Sequence, residues 1–242
     1  QHLVTTSKRE KEQATAVIVS LATPNRIQTF QQYLLQWYEE NGRDLPWRHT
    51  RDPYRILVSE IMLHQTQVDR VIPKYHEFLS SYPTFEALAA APVEDVKELW
   101  RPLGYNFRPG RLHQIAKYVV TNYNGQLPDT LKDLMTLPGI GRYTAGAILS
   151  FAFHKDAPIL DTNTQRVFQR YFAITGDPFR VPAKKQLWYL AKITIPPGKA
   201  YLFNQALLDF GALHCKARKP LCWRCSLSNS CPYGQTHQKI IH

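Results

Sequence analysis

The chain has 242 residues, 44% of them hydrophobic, enough for one large domain or two small ones with real cores. No uninterrupted apolar run approaches the length of about 18 residues that spans a membrane, and Val17-Ile18-Val19 is too short for the apolar core of a secretion signal. Neither a membrane protein nor an exported one is indicated, and thirty Lys and Arg against 19 Asp and Glu leave a net charge of +11, which suggests a polyanionic partner, most simply nucleic acid.

Residues 1–27 read as a basic arm, flexible or loosely helical. Gln28 to Asn41 carries apolar or aromatic side chains at Phe30, Leu34, Trp37 and Tyr38, near the helical repeat, and Arg43-Asp44-Leu45-Pro46-Trp47-Arg48 breaks it. Asp52 as cap and Pro53 in the first position open a strong helix with apolar residues at Ile56, Leu57, Ile61, Leu63, Val68 and Val71. Pro73 fits only at a boundary or a kink. Helical segments then alternate with short turns: 73–81, 84–90, 92–101, 108–122, 131–136 and 142–153. After Asp156-Ala157-Pro158, further helices are expected near 162–172, 184–192 and 201–214. Period-two alternation is scarce and no repeat of fixed period is evident, so the fold class is all-α.

All four cysteines fall in one stretch, Cys215-x6-Cys222-x2-Cys225-x5-Cys231. A disulfide scaffold scatters its cysteines, whereas four thiolates at short spacing hold zinc or an iron–sulfur cluster. Only the middle pair has the spacing usual for structural zinc, and the wider gaps let one loop wrap a bulkier object, which favours [4Fe–4S]. The basic loop Lys216-Ala217-Arg218-Lys219 inside the first gap meets phosphates or is simply solvated.

Between two helical segments stands Leu137-Pro138-Gly139-Ile140-Gly141-Arg142-Tyr143. Two glycines one residue apart let the chain turn tightly and then open a helix with its N–H groups exposed. Such a turn takes an anion; Gly139, Gly141 and Arg142 are the candidates for a DNA phosphate, bound without base specificity.

These motifs carry a family resemblance. The Leu137-Pro-Gly-Ile-Gly turn, followed by Ile159-Leu160-Asp161-Thr162-Asn163, resembles the helix-hairpin-helix, Gly/Pro, Asp signature of the endonuclease III superfamily of DNA glycosylases, and the cysteine spacing resembles that family's [4Fe–4S] loop. Leu45-Pro46-Trp47-Arg48, the run Ser59 to Val68, and Leu103-Gly104-Tyr105 resemble the MutY adenine glycosylases. The resemblance covers about residues 28–232. The sequence departs from MutY in three ways: nothing corresponds to the C-terminal domain that helps read 8-oxoguanine, His64 stands where Gln is more usual, and the short form with Tyr143 is also similar to archaeal-type thymine mismatch glycosylases.

The resemblance implies a two-lobed helix-hairpin-helix glycosylase: a helical barrel over 50–157, an iron–sulfur domain from 28–49 with 158–232, and a tail over 233–242. A cleft is expected between the lobes, with Glu60 on one wall and Asp161 on the other. Such an enzyme flips a nucleotide out of the stack and cleaves the sugar–base bond, which requires a protonated leaving base and stabilisation of an oxocarbenium-like sugar. Asp161 is implied as the carboxylate beside the sugar; read from the residues alone it is a helix N-cap. Glu60 is implied as the acid that protonates the base. It lies in a mostly apolar stretch where a carboxyl pKa rises, although most Glu residues on such helices are at the surface. Asn163 holds water or orients Asp161, or is a first-turn polar residue without a chemical role. Tyr143 stands where bifunctional relatives place a Lys; it forms no Schiff base, so a monofunctional enzyme leaving an abasic site is expected, with Lys155 the amine available for weak lyase activity.

Trp47, Arg48, Leu63 and Val68 resemble residues around the flipped base, with core packing the alternative for Trp47, Leu63 and Val68. Gln65, Thr66 and Tyr105 resemble the wedge that probes the opposite base. The expected reaction is release of adenine mispaired with 8-oxoguanine or guanine. Thymine or uracil release opposite guanine is the second reading, and a non-catalytic lesion-binding protein the third. The expected partner is double-stranded DNA carrying a mismatch or lesion, met by an intracellular monomer away from membranes.

Overall fold

A computed structural model describes residues 22–105 and 107–237; the basic arm before residue 22 and the last five residues of the tail lie outside the described residues. The described residues form helices and turns, with no strand among them. They divide into two compact units, one spanning Asp44–Ala157 and the other drawn from Gln1–Arg43 together with Pro158–His242.

In the Asp44–Ala157 unit the helices are α2 (Pro53–Leu63), α3 (Val68–Ser81), α4 (Phe85–Ala90), α5 (Val93–Trp100), α6 (Phe107–Tyr123), α7 (Leu131–Leu134) and α8 (Arg142–Phe151). Asp52 caps α2 as the sequence suggests, its Oδ1 accepting from the Tyr54 and Arg55 amides at 2.8 and 3.3 Å. Helix α2 packs against α3, α6 and α8. It is buried on nearly all sides, from Tyr54 through Met62 except Arg55. The sequence had suggested one helical stretch from Pro53 through Val71. Instead α2 stops at Leu63, and Gln65 takes a left-handed φ of 58°. The chain restarts at Val68 and runs through Pro73, which lies inside α3 rather than at its start. The turn at 64–67 supplies the break that Pro73 was expected to mark.

The other unit contains α1 (Pro24–Asn41), α9 (Thr162–Phe172), α10 (Val181–Ile193), α11 (Ala200–Asp209), a single π turn over Phe210–His214, and α12 (Pro232–His237). Helix α1 starts at Pro24, capped by Thr23, so residues 24–27 belong to it and not to the arm. Its apolar face enters an aromatic core: Phe30 stacks on Tyr171 at 4.8 Å and meets Phe172 and Phe203 edge-on. The helix expected over 201–214 changes its backbone hydrogen-bond pattern at Phe210. Gly211 sits so close to α9 that a Cβ there would lie 3.0 Å from the Asn163 Cβ and 3.2 Å from its carbonyl carbon and oxygen. Bulging the last turn brings backbone to backbone and delivers the chain into Cys215.

Candidate active site

Asp161 is the N-cap of α9, and its capping role is real. Its Oδ1 accepts from the Thr164 amide at 2.7 Å while the Asp161 amide donates to Thr164 Oγ1 at 2.8 Å, a reciprocal capping box. The second oxygen, Oδ2, meets only the Asn163 side-chain amide, at 3.4 Å. One carboxylate oxygen is therefore spent on the helix, and the other remains for chemistry. Asn163 is itself held by Arg166, whose Nη2 donates to Asn163 Oδ1 at 2.9 Å and to the Gly211 carbonyl at 2.6 Å, while its Nε donates to the Cys215 carbonyl at 2.9 Å. Arg166 thus links the Asp161–Asn163 pair to the first cysteine. The sequence reading passed over Arg166, although its i,i+3 spacing from Asn163 on one helix was a usable signal.

Glu60 lies on α2 in the Asp44–Ala157 unit and is 5% exposed, flanked by buried Ile56, Leu57, Ile61 and Met62. It is not the surface glutamate that composition alone would suggest. Trp47 is buried and meets Tyr75 edge-on at 5.4 Å, so it packs in the core of its unit. Arg48 is half-buried with its Nε shielded from solvent, and Leu63 and Val68 are half-buried at the two ends of the 64–67 turn. Gln65 is exposed, Thr66 half-buried, and Tyr105 is 49% exposed with a left-handed φ of 51°. His64 also lines this turn, with Nε2 3.5 Å from Thr144 Oγ1; burial first, then Arg108 and Arg111, holds its pKa below the usual histidine value.

The hairpin between α7 and α8 has the expected form. Leu137 and Ile140 are buried anchors, while Gly139, Gly141 and Arg142 face outward. Gly139 has a φ of 75°, which an L side chain rarely adopts, and Gly141 begins α8 with no capping side chain and open space where a Cβ would be. Amides at such a helix start suit an anion. Tyr143 follows in the first turn of α8, half-buried. Lys155 is not a ready nucleophile: its Nζ donates to the Asp129 carbonyl and, at 2.6 Å, to the Asp129 carboxylate, whose pKa the lysine holds down.

The four cysteines are free thiols that line a single pocket with Arg170, Tyr171 and Tyr233. Burial pushes the Cys225 thiol up to about 11, and burial together with the neighbouring cysteines raises Cys222 and Cys231. Four sulfur donors lining one pocket are the donor set of an iron–sulfur cluster or a soft metal ion. Donors aimed at sulfur are already in place: Arg170 Nη1 to Cys215 Sγ and the Gly234 amide to Cys231 Sγ, both at 3.4 Å. The residues fit an iron–sulfur cluster held by Cys215, Cys222, Cys225 and Cys231. With four protein ligands it has no open coordination position for hydrolysis.

Comparison with known proteins follows the same lines. The family described as HhH-GPD superfamily base excision DNA repair protein matches residues 58–192, and the iron–sulfur binding domain of endonuclease III matches residues 215–231. The chain is 41% identical over 214 residues to the adenine DNA glycosylase of Homo sapiens, covering 85% of this chain and 39% of that protein. It is 37% identical over 213 residues to the thymine/uracil-DNA glycosylase of Methanothermobacter thermautotrophicus, covering 88% of this chain and 96% of that protein. A solved structure of a thermostable thymine-DNA glycosylase superposes with a TM-score of 0.83 at 37% identity, over 89% of this chain and 99% of that one. The chain thus spans well under half the length of the human relative and nearly all of the archaeal ones.

Proposed function

Because the chain belongs to the HhH-GPD superfamily of base excision DNA repair proteins, we propose that it is a monofunctional DNA N-glycosylase that removes adenine mispaired with 8-oxoguanine or guanine. The observation that carries this reading is Glu60: a carboxyl group buried on an apolar helix within the matched family segment, suited to give its proton to a leaving purine. As the glycosidic bond breaks, its electron pair leaves with the base, which takes the proton from Glu60. The sugar is left electron-poor at C1′. Asp161 Oδ2 offsets that charge, Asn163 fixes the carboxylate, and water adds at C1′, its proton passing to the Glu60 carboxylate that the first step leaves. The product is an abasic site. Tyr143 contributes no amine, and the Lys155 amine is engaged by Asp129, so the strand stays intact. The cluster, when bound, supplies a rigid core for the loop that follows Cys215.

Backbone amides at Gly139 and Gly141 with Arg142, and the basic residues 216–219, are in this reading the phosphate contacts on double-stranded DNA. The wedge is Gln65, Thr66 and Tyr105, and the base pocket draws on Arg48, Leu63 and Val68, with Trp47 a core residue of the same unit. A second reading, release of thymine or uracil opposite guanine, is favoured by a specific observation: the archaeal thymine glycosylases align over nearly their whole length. Single-turnover assays on A·8-oxoguanine, A·G, T·G and U·G duplexes, with and without alkali, separate the two. Adenine release that needs alkali for strand scission supports the first reading. Thymine or uracil release replaces it with the second. Strand scission without alkali overturns monofunctionality, and tight binding without release of any base points to a lesion-binding protein.

A further inference from the structure

One densely hydrogen-bonded side chain of the Asp44–Ala157 unit is not used by the proposed chemistry. Arg108, at the start of α6, is 2% exposed. Its Nη1 donates to the carbonyls of Ile61, Met62 and His64 at 3.1, 2.8 and 2.6 Å. Its Nη2 donates to Thr66 Oγ1 at 3.0 Å and to the carbonyls of Leu103 and Gly104, both at 3.2 Å. The guanidinium lies 5.5 Å from the Trp100 ring centroid and 5.1 Å from that of Tyr105. All six acceptors are neutral oxygens, so this buried cation is held by carbonyl dipoles, three of them at the C-terminal end of α2, where a helix favours positive charge. Its Nε is buried without a partner, so the geometry satisfies the fork at the expense of the stem.

The two segments joined by this fork are the 64–67 turn and the 103–105 turn. Each contains a left-handed residue, Gln65 at φ 58° and Tyr105 at φ 51°, with Gly104 at φ 72° beside it. A non-glycine residue in that region is strained and persists only where its surroundings hold it. These same turns present Gln65, Thr66 and Tyr105.

We propose that Arg108 is a positioning residue that locks the two turns into one rigid probe of the DNA duplex, acting on base extrusion through Gln65, Thr66 and Tyr105 and not on bond cleavage. The inference rests on the wedge assignment in the proposed function. Its test is a ratio. Arg108→Lys keeps the charge and the ring contacts but cannot reach both turns at once; Arg108→Met removes the charge as well. Each is assayed in single turnover on the base the wild type releases. One substrate has that base paired in a duplex; the other has it opposite an abasic-site analogue, where there is no pair to break. Loss of rate on the paired duplex by about tenfold or more, with a loss under about threefold on the unpaired site and the Arg108→Lys variant still folded at the assay temperature, is the expected result. Equal loss on both substrates would make Arg108 an ordinary structural residue and overturn the inference, as would no loss on either. Wild type inactive on both substrates would remove the glycosylase reading and this inference with it, and that result is distinct from the other two.

Discussion

Asp161 serves as both a helix cap and the proposed catalytic carboxylate, and a pair of substitutions separates the roles. Asn is as good an N-cap as Asp and can still accept from the Thr164 amide, which now sits 2.7 Å from Oδ1. Asp161→Asn loses only the charge at the start of α9, worth about 0.3–1 kcal/mol, which for a protein of this size lowers the thermal midpoint by no more than about 3 °C. Asp161→Ala loses the cap acceptor too, costing about 1–2 kcal/mol and several degrees. In catalysis the two should behave alike, because neither leaves a negative oxygen where Asp161 Oδ2 now meets only Asn163. A loss of about 10²–10⁴ in the single-turnover rate is expected for both, equivalent to about 3–5 kcal/mol of transition-state stabilisation. Duplex binding should be retained. The assays are thermal unfolding, equilibrium binding to the mismatched duplex and single-turnover base release on the same preparations. Base release by Asp161→Asn within tenfold of wild type would refute the reasoning and leave Asp161 a cap only.

Three further outcomes follow from the described contacts. Asp209 is fully buried and accepts from the Arg43 amide, Nε and Nη2 at 2.8, 2.8 and 2.6 Å, so breaking the pair should cost about 3–5 kcal/mol in chemical denaturation, with Arg43→Met worse than Asp209→Ala because it strips the guanidinium from a buried carboxylate; the reverse order would contradict this. The folded-state pKa of His64 is depressed, so the unfolded chain takes up the proton first as pH falls and stability is lost from about pH 6.5 downward; His64→Gln should flatten that part of a urea-midpoint profile, and superimposable profiles would count against it. Cys225→Ser should abolish bound iron and the visible absorbance of the cluster, against about four irons per wild-type chain, and wild-type iron content in the variant would exclude Cys225 as a ligand.

What the sequence made legible was mostly local. Asp52-Pro53 announced α2, and the limits of α9 agree with the expected 162–172, because caps and first-turn residues act on amides two or three positions away. The hairpin glycines and the cysteine spacing were legible for the same reason. The break after Leu63 was not, since it depends on Arg108 collecting backbone carbonyls, and a carbonyl carries no side-chain signature. Nor was the Arg43–Asp209 pair, whose members stand 166 positions apart. The π turn at 210–214 needed knowledge of what Gly211 packs against, and Arg166 needed the position of Cys215. Glu60 stood between these cases: its neighbours predicted an apolar helix, but only its near-complete burial separates it from a surface glutamate.

One unit is continuous and the other is assembled from both ends of the chain. On a ribosome these two arrangements have different histories. The inner unit, with its helices from Pro53 to Phe151, is complete in sequence as soon as residue 157 has emerged. Helix α1 emerges first, yet the partners of Phe30 are Phe168, Tyr171, Phe172 and Phe203, so its greasy face must wait for more than a hundred residues of later synthesis. The cysteines come later still, after α11. Closure of the aromatic core, and after it completion of the cysteine loop, therefore follow the inner unit in the order of synthesis. A nascent chain stalled between residues 157 and 168 should display a folded inner unit and an α1 still open to chaperones.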